Sequence, residues 1–341
     1  MSFVNLDPSD IVVSAESVTA PAWSNNNPVL SAFTTASVAS AAPNFYVDVY
    51  LDGGSNPTPE FSIAYGHLTG GGSLDYNTLV PGASPTRTIY GQYRTLVYGD
   101  ENSNFNFGNG NASSVDMIAI NINRDRYKQQ LYTPTFNLTL ISGSVTLNLS
   151  TNINNITTVP YLDCGRAFDI VSGSNGYVTT SPPSGDTSIT PGYTRSGSYG
   201  LFLPDVGLLV LNPRALALTQ GQGGINLSIN QTANTNALNY RSIYNAIDTG
   251  SYFSLNSEET ISSDYIFVRV KSQDFNYTTN PSVISGSGAL NFPSMINNPQ
   301  TFMTTVGMYN TNNELLAVAK LSKPLVKDFT KEALIKVKLN W

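Results

Sequence analysis

Histidine and cysteine each occur once in the 341 residues. A lone Cys164 leaves no disulfide within the chain. One His and one Cys cannot build a usual zinc site. Any Ser-His-Asp or Cys-His system would rest on His67, which sits in Tyr65-Gly66-His67-Leu68-Thr69-Gly70. A single histidine in a glycine-rich loop after a strand reads as structural. Charge is scarce too: Asp, Glu, Lys and Arg make up 12%, about half the usual share. No apolar run approaches the roughly 20 residues that span a bilayer, so no membrane insertion is expected. Met1-Ser2-Phe3-Val4-Asn5-Leu6-Asp7 has neither a basic start nor an apolar run, so it reads as no signal peptide.

Phosphate-binding signatures are missing as well. Gly70-Gly71-Gly72 and Gly221-Gln222-Gly223-Gly224 lack the lysine and helix of a P-loop. Asp100-Glu101-Asn102-Ser103-Asn104-Phe105 begins like a calcium loop. It has Phe105 where glycine is required and Asn111 where a bidentate Glu belongs, so it reads as a turn. Asp100-Glu101 and Glu258-Glu259 are adjacent pairs whose side chains diverge on a strand or loop. They read as solvated turn residues, not as a glycosidase pair. The expectation is therefore no catalytic residue, no metal, no cofactor and no small-molecule substrate. No internal repeat of fixed period occurs, which argues against a solenoid or propeller.

What is present points to strands. Hydrophobic residues reach 40% and aromatics 11%, too many for a disordered chain. Ser, Thr and Asn supply the polarity, which suits surfaces covered by neighbours. The net charge of −6 argues against nucleic acid as a partner. The charge is uneven. Lys320, Lys323, Lys327, Lys331, Lys336 and Lys338 face only Asp328 and Glu332 over residues 320–341. Two readings stay open: edge-strand lysines that prevent mispairing, or a basic patch that meets an acidic neighbour.

Phe302 to Tyr309 and Leu315 to Leu321 read as strands around the polar turn Asn310-Thr311-Asn312-Asn313. The second is apolar on both faces, which predicts a place inside a sheet and not at its edge; Pro324 breaks its pattern. Ile335, Val337, Leu339 and Trp341 alternate with Lys336, Lys338 and Asn340, a period of two. Further strands are expected at 44–51, 60–65, 116–123, 135–141, 145–150 and 265–271, with two short ones over 199–211 around Pro204-Asp205. Ser84 and Pro85 open a helix over 85–98 that Gly99 closes. A second helix is expected over 239–248. The fold class that follows is mainly β, with antiparallel, sandwich-like sheets and two short helices. Three regions are expected: 1–160 with the first helix, a loop-rich 161–254 with the second, and 255–341, a β region that closes the sheet.

The last quarter of the chain carries a resemblance. Its pieces are Tyr265-Ile266-Phe267-Val268-Arg269-Val270-Lys271, Asp274-Phe275-Asn276-Tyr277-Thr278-Thr279-Asn280-Pro281, Thr305-Val306-Gly307-Met308-Tyr309-Asn310 and Glu314-Leu315-Leu316-Ala317-Val318-Ala319-Lys320 with Leu321-Ser322-Lys323-Pro324. Tyr90-Gly91-Gln92-Tyr93-Arg94 and Tyr199-Gly200-Leu201-Phe202-Leu203-Pro204-Asp205 add to it. The chain resembles virion structural proteins of large contractile-tailed bacteriophages of the marine and cyanobacterial kind. The resemblance implies a structural subunit of the tail, a baseplate wedge component assembled in the host cytoplasm, and not an enzyme. It implies other tail and baseplate proteins, and copies of itself, as partners. A neck or head virion protein, a receptor- or glycan-binding tail protein and a polysaccharide-cleaving tail enzyme are the alternatives. The interface candidates are Trp23, Phe275, Tyr277, Lys320, Lys323, Lys327 and Trp341. For Trp23, Phe275 and Tyr277 a place in the chain's own core is the competing reading.

Overall fold

The computed structural model describes residues 3–35, 46–53, 58–77, 79–80, 83–107, 114–156, 158–178, 199–278 and 280–340. The protein is mainly β, with 44% strand and 16% helix. In chain order the first strands are β1 (Ile11–Pro21), β2 (Val29–Leu30), β3 (Phe33–Thr35), β4 (Tyr46–Leu51), β5 (Phe61–His67) and β6 (Asp116–Ile122). Next come β7 (Gln130–Ser142), β8 (Val145–Thr151), β9 (Tyr161–Leu162), β10 (Gly165–Arg166), β11 (Phe168–Ser174) and β12 (Tyr177–Val178). The last are β13 (Gly200–Leu203), β14 (Leu208–Leu211), β15 (Phe253–Val270), β16 (Thr301–Tyr309), β17 (Leu315–Lys327) and β18 (Ala333–Asn340). The helices are α1 (Pro85–Tyr98), α2 (Pro213–Ala217), α3 (Asn239–Gly250) and α4 (Ser294–Asn297). Helices α2 and α4 add to the two expected, and each is a single short turn or little more.

Contacts divide the chain into two units, Val18–Glu259 and Met1–Ser17 with Thr260–Trp341. No division falls at residue 160, where one was expected. The reason is strand pairing across it: β8 pairs with β11 through Thr151↔Ile170, and β14 pairs with β6 through Val210↔Ala119.

In the larger unit the hydrogen-bonded order is β15-β7-β8-β11-β13-β14-β6-β5-β4-β3, antiparallel throughout. Its centre is dry on both faces. Ile118, Ile120 and Ile122 of β6, Leu209 and Leu211 of β14 and Phe202 of β13 point to one core, shared with Ala215 and Leu216 of α2 and Ile243, Ala246 and Ile247 of α3. Met117, Ala119, Leu208, Val210, Leu201 and Leu203 point to the other, shared with Tyr90 and Val97 of α1. Strands covered on both faces need continuous apolar runs, and these segments have them.

Helix α1 spans the expected residues. Gly99 closes it at φ 69°, its N–H bonded to Thr95 O at 2.9 Å. Ser84 precedes it without capping it; its Oγ donates instead to Gly70 O at 3.1 Å. Helix α3 ends against β7. A Cβ built on Gly250 would lie 2.0 Å from Thr139 O. Gly250→Ala must push helix from strand, and a loss of about 3 kcal/mol is expected in urea unfolding. Gly221→Ala, which meets open space, is expected to leave stability within about 0.5 kcal/mol.

In the smaller unit β15 pairs with β18 from Ser263↔Asn340 to Val270↔Ala333, and β1 is the neighbour of β15 at the end of the strand order. Strands β16 and β17 form a separate two-stranded ribbon. Ile266, Ile335 and Val337 are buried, and Val268, Met303, Val306, Met308, Ala319 and Leu321 pack against them. The expectation that Leu315–Leu321 lies inside a sheet is therefore corrected. It belongs to a ribbon with no third strand among the described residues, and one apolar row faces the small core while the other faces outward. Pro324 does not end the strand. β17 runs on to Lys327 through a register shift between Met303 and Thr305 of its partner.

Candidate interaction surface

Three titratable groups of the larger unit, Tyr65, His67 and Arg214, meet at Asp116, the fully buried first residue of β6. Tyr65 Oη donates to Asp116 Oδ2 at 3.1 Å, and Gln231 Nε2 donates to the same oxygen. Ser114 Oγ lies 3.3 Å from Oδ1, and Arg214 Nε lies 3.8 Å from it. The carboxylate is thus surrounded by donors. Burial raises the Tyr65 phenol far above its ordinary range, and the Asp116 charge adds to that. His67 stands opposite Asp116 in the β5–β6 register. Its Nδ1 accepts from Gly71 N–H at 3.0 Å and Thr69 N–H at 3.2 Å, which places the neutral ring's proton on Nε2. A cavity of about 10 Å³ lies beside Tyr65, Ser73, Thr86 and Tyr240, room for about one water. The cluster ties β5, β6, α2 and the loop at Gln231 together.

Burial lowers the His67 pKa; the Asp116 charge opposes this and Arg214 reinforces it. The folded-state value is below the unfolded one, so the neutral ring's contribution is complete above the unfolded pKa of about 6.5 and is lost as pH falls below it. Urea midpoints are expected to fall as pH drops below about 6.5. His67→Gln, whose amide oxygen can still accept, is expected to flatten that slope.

Elsewhere Arg166 grips Asp205, with Nη2 to Oδ1 at 2.6 Å and its own N–H to Oδ2 at 2.8 Å. Burial pushes the Asp205 carboxyl up, but the hydrogen bonds and charge of Arg166 leave it net below its usual value. Burial raises the Cys164 thiol, the direction opposite to an activated nucleophile. Among the described residues no group of three or more His, Cys, Asp or Glu is placed to hold a metal ion.

The interface candidates fall in different places. Trp23 is core, only 2% exposed, with Nε1 donating to Phe253 O at 3.0 Å and Pro28 O at 3.2 Å. Its ring meets those of Phe61 and Phe253. This corrects its assignment as a surface anchor. Lys327 is also removed from the basic patch. It is fully buried, and its Nζ donates to Asn276 Oδ1, Ser272 O and Asp328 O at 2.7, 2.8 and 2.9 Å. Phe275 does not lie on an extended segment. Lys271–Asp274 is a turn closed by Asp274 N–H to Lys271 O, and Phe275 follows in the left-handed region at φ 54°. Phe275 is half-buried, while Tyr277 is 58% exposed. Lys320 and Lys323 are exposed on β17. Trp341 lies outside the described residues.

What single motifs did not reveal is the distribution of exposed apolar side chains. Among the described residues twenty-six large hydrophobics are exposed, and seventeen belong to the smaller unit. They include Ile11, Val12 and Val13 on β1, Phe302 on β16, and Leu315, Leu316, Val318 and Leu325 on β17. Of its large hydrophobics, among the described residues, the same unit buries only Ile266, Val270, Ile335 and Val337. Its outer face carries Lys336 4.1 Å from the centre of the Tyr265 ring, and Lys338 with Glu16 at 3.4 Å. Strand alternation then puts Val12, Ser14 and Glu16 on that face and Ile11 and Val13 on the opposite one. Both rows of β1 are exposed.

No family model, no curated protein and no solved structure matches the chain. No helix among the described residues is long and apolar enough to cross a membrane.

Proposed function

We propose that this chain is an assembly subunit, a structural protein of a bacteriophage tail, with the baseplate wedge as the place to which its sequence resemblance points. The observation that carries the assembly reading is the smaller unit. Among the described residues it carries seventeen of the twenty-six exposed large apolar side chains and buries four. An apolar surface of this kind on a small core marks a protein–protein contact that partners complete. The larger unit supports the same role. Its core is closed on both faces, and its buried cluster at Asp116 is spent on internal hydrogen bonds. In this reading the partners are other tail proteins and copies of the chain, and the chain resides in the virion tail.

Quantitative mass spectrometry of purified, fractionated virions tests this. Recovery in the tail fraction with baseplate proteins is expected. Recovery with head or neck proteins would keep the virion role and overturn the tail position. Absence from the particle would overturn the reading.

A further inference from the structure

We propose that the edge of β1 receives β17 from a second copy of this chain, so that copies join head to tail. This deepens the assembly reading and rests on it. Strand β1 is the last in its sheet order, with β15 as its one neighbour among the described residues in that order, and all eleven of its residues are exposed. The usual guards of an edge are missing: it has no lysine, and its one proline, Pro21, is the final residue. An edge of this kind is a template for strand addition, in which main-chain hydrogen bonds bind and side-chain rows set the register.

Charge selects the incoming strand. β17 has β16 as its one neighbour, so its second edge is open among the described residues. Register shifts flank its regular run, Thr305↔Lys320 to Met308↔Ala317. Within that run Val318 and Lys320 share the outward row, with Val318 58% exposed. Antiparallel addition that sets Glu16 opposite Lys320 also sets Val18 opposite Val318. One charge pair and one β-branched pair then lie on one face, both favourable across strands. Pairing β1 with β1 about its central residue would instead set Glu16 opposite Glu16, which is unfavourable. The long-range field does not oppose the contact. Met1–Ser17 with Thr260–Trp341 contain eight Lys or Arg and eight Asp or Glu, so the −6 belongs to Val18–Glu259. Because the two edges differ, the contact is heterologous and builds rings or filaments, not closed dimers.

Sedimentation velocity of the full chain tests it. Association beyond a dimer is expected. Lys320→Glu and Glu16→Lys should each weaken it at least tenfold, and the double reversal should restore it. Lys320→Glu is the cleaner single change, since Glu16 also meets Lys338. A monomeric chain, association that stops at a dimer, association indifferent to Lys320→Glu, or a double reversal that restores nothing would overturn the proposal. A chain that is monomeric alone but is recovered in tail fractions would leave the assembly reading standing without the second copy. Failure of both measurements would remove both.

Discussion

Trp23→Ala is expected to cost about 4 kcal/mol of folding stability, read as a lower urea midpoint. The ring fills a site between Phe61 and Phe253, with centroids 6.1 and 4.9 Å away. Its removal leaves a cavity that neighbouring strands cannot easily close. It also strips a donor from Phe253 O and Pro28 O, which are 3.0 and 3.2 Å from Nε1. Trp23→Phe separates the two parts, since it keeps most of the packing and loses the N–H. A cost of about 1 to 2 kcal/mol is expected for it. Had Trp23 been an interface anchor, alanine would weaken association and leave the midpoint unchanged.

Lys327→Met is the second large effect. Methionine keeps most of the stem's volume but leaves Ser272 O, Asn276 Oδ1 and Asp328 O without the ammonium that serves all three. Stranded buried acceptors cost about 1 to 3 kcal/mol each when they cannot reach water. A total of about 3 kcal/mol is expected, because relaxation lets some find solvent. The loss should be local, since the three acceptors lie in the turn after β15 and at the end of β17. Hydrogen exchange should quicken at Ser272–Asn276 and Lys327–Thr330 before it does in β5 or β6. Lys323→Met, on the exposed part of β17, is expected to change stability by less than about 0.5 kcal/mol.

The parts of this fold that were legible in the sequence are those where local chemistry and tertiary environment agree. Pro85 at the start and Gly99 at the end of α1 act through backbone geometry that needs no partner. β6, β13 and β14 read as apolar runs because both of their faces are covered. The first part of β15 was not legible. Ser254, Asn256, Ser257, Glu258 and Glu259 give no alternation, and the strand is held by main-chain pairing to β7 across a bulge between Ser254 and Asn256. β17 misled for the opposite reason. Two apolar rows suit a buried strand and an outward-facing ribbon equally, and only the count of neighbouring strands separates them.

The site residues divide the same way. Asp116 and Gln231 are 115 residues apart, and no local pattern joins them. A carboxylate opening the apolar run Met117-Ile118-Ala119-Ile120 was the one available signal. Lys327 looked like one more member of a surface patch, because six lysines in a row of strands resemble one another. Which of them is buried depends on Asn276 and Ser272 folding back onto it.

The central claim is that the smaller unit is a surface made to be covered by partners. Hydrogen–deuterium exchange, compared between the isolated chain and the same chain in the purified particle, tests it most directly. Assembly is expected to slow exchange most in Ile11–Pro21 and Leu315–Lys320, with little change in β6, β13 and β14. Unchanged exchange in those two segments, with new protection confined to Val18–Glu259 beyond β1, would contradict it.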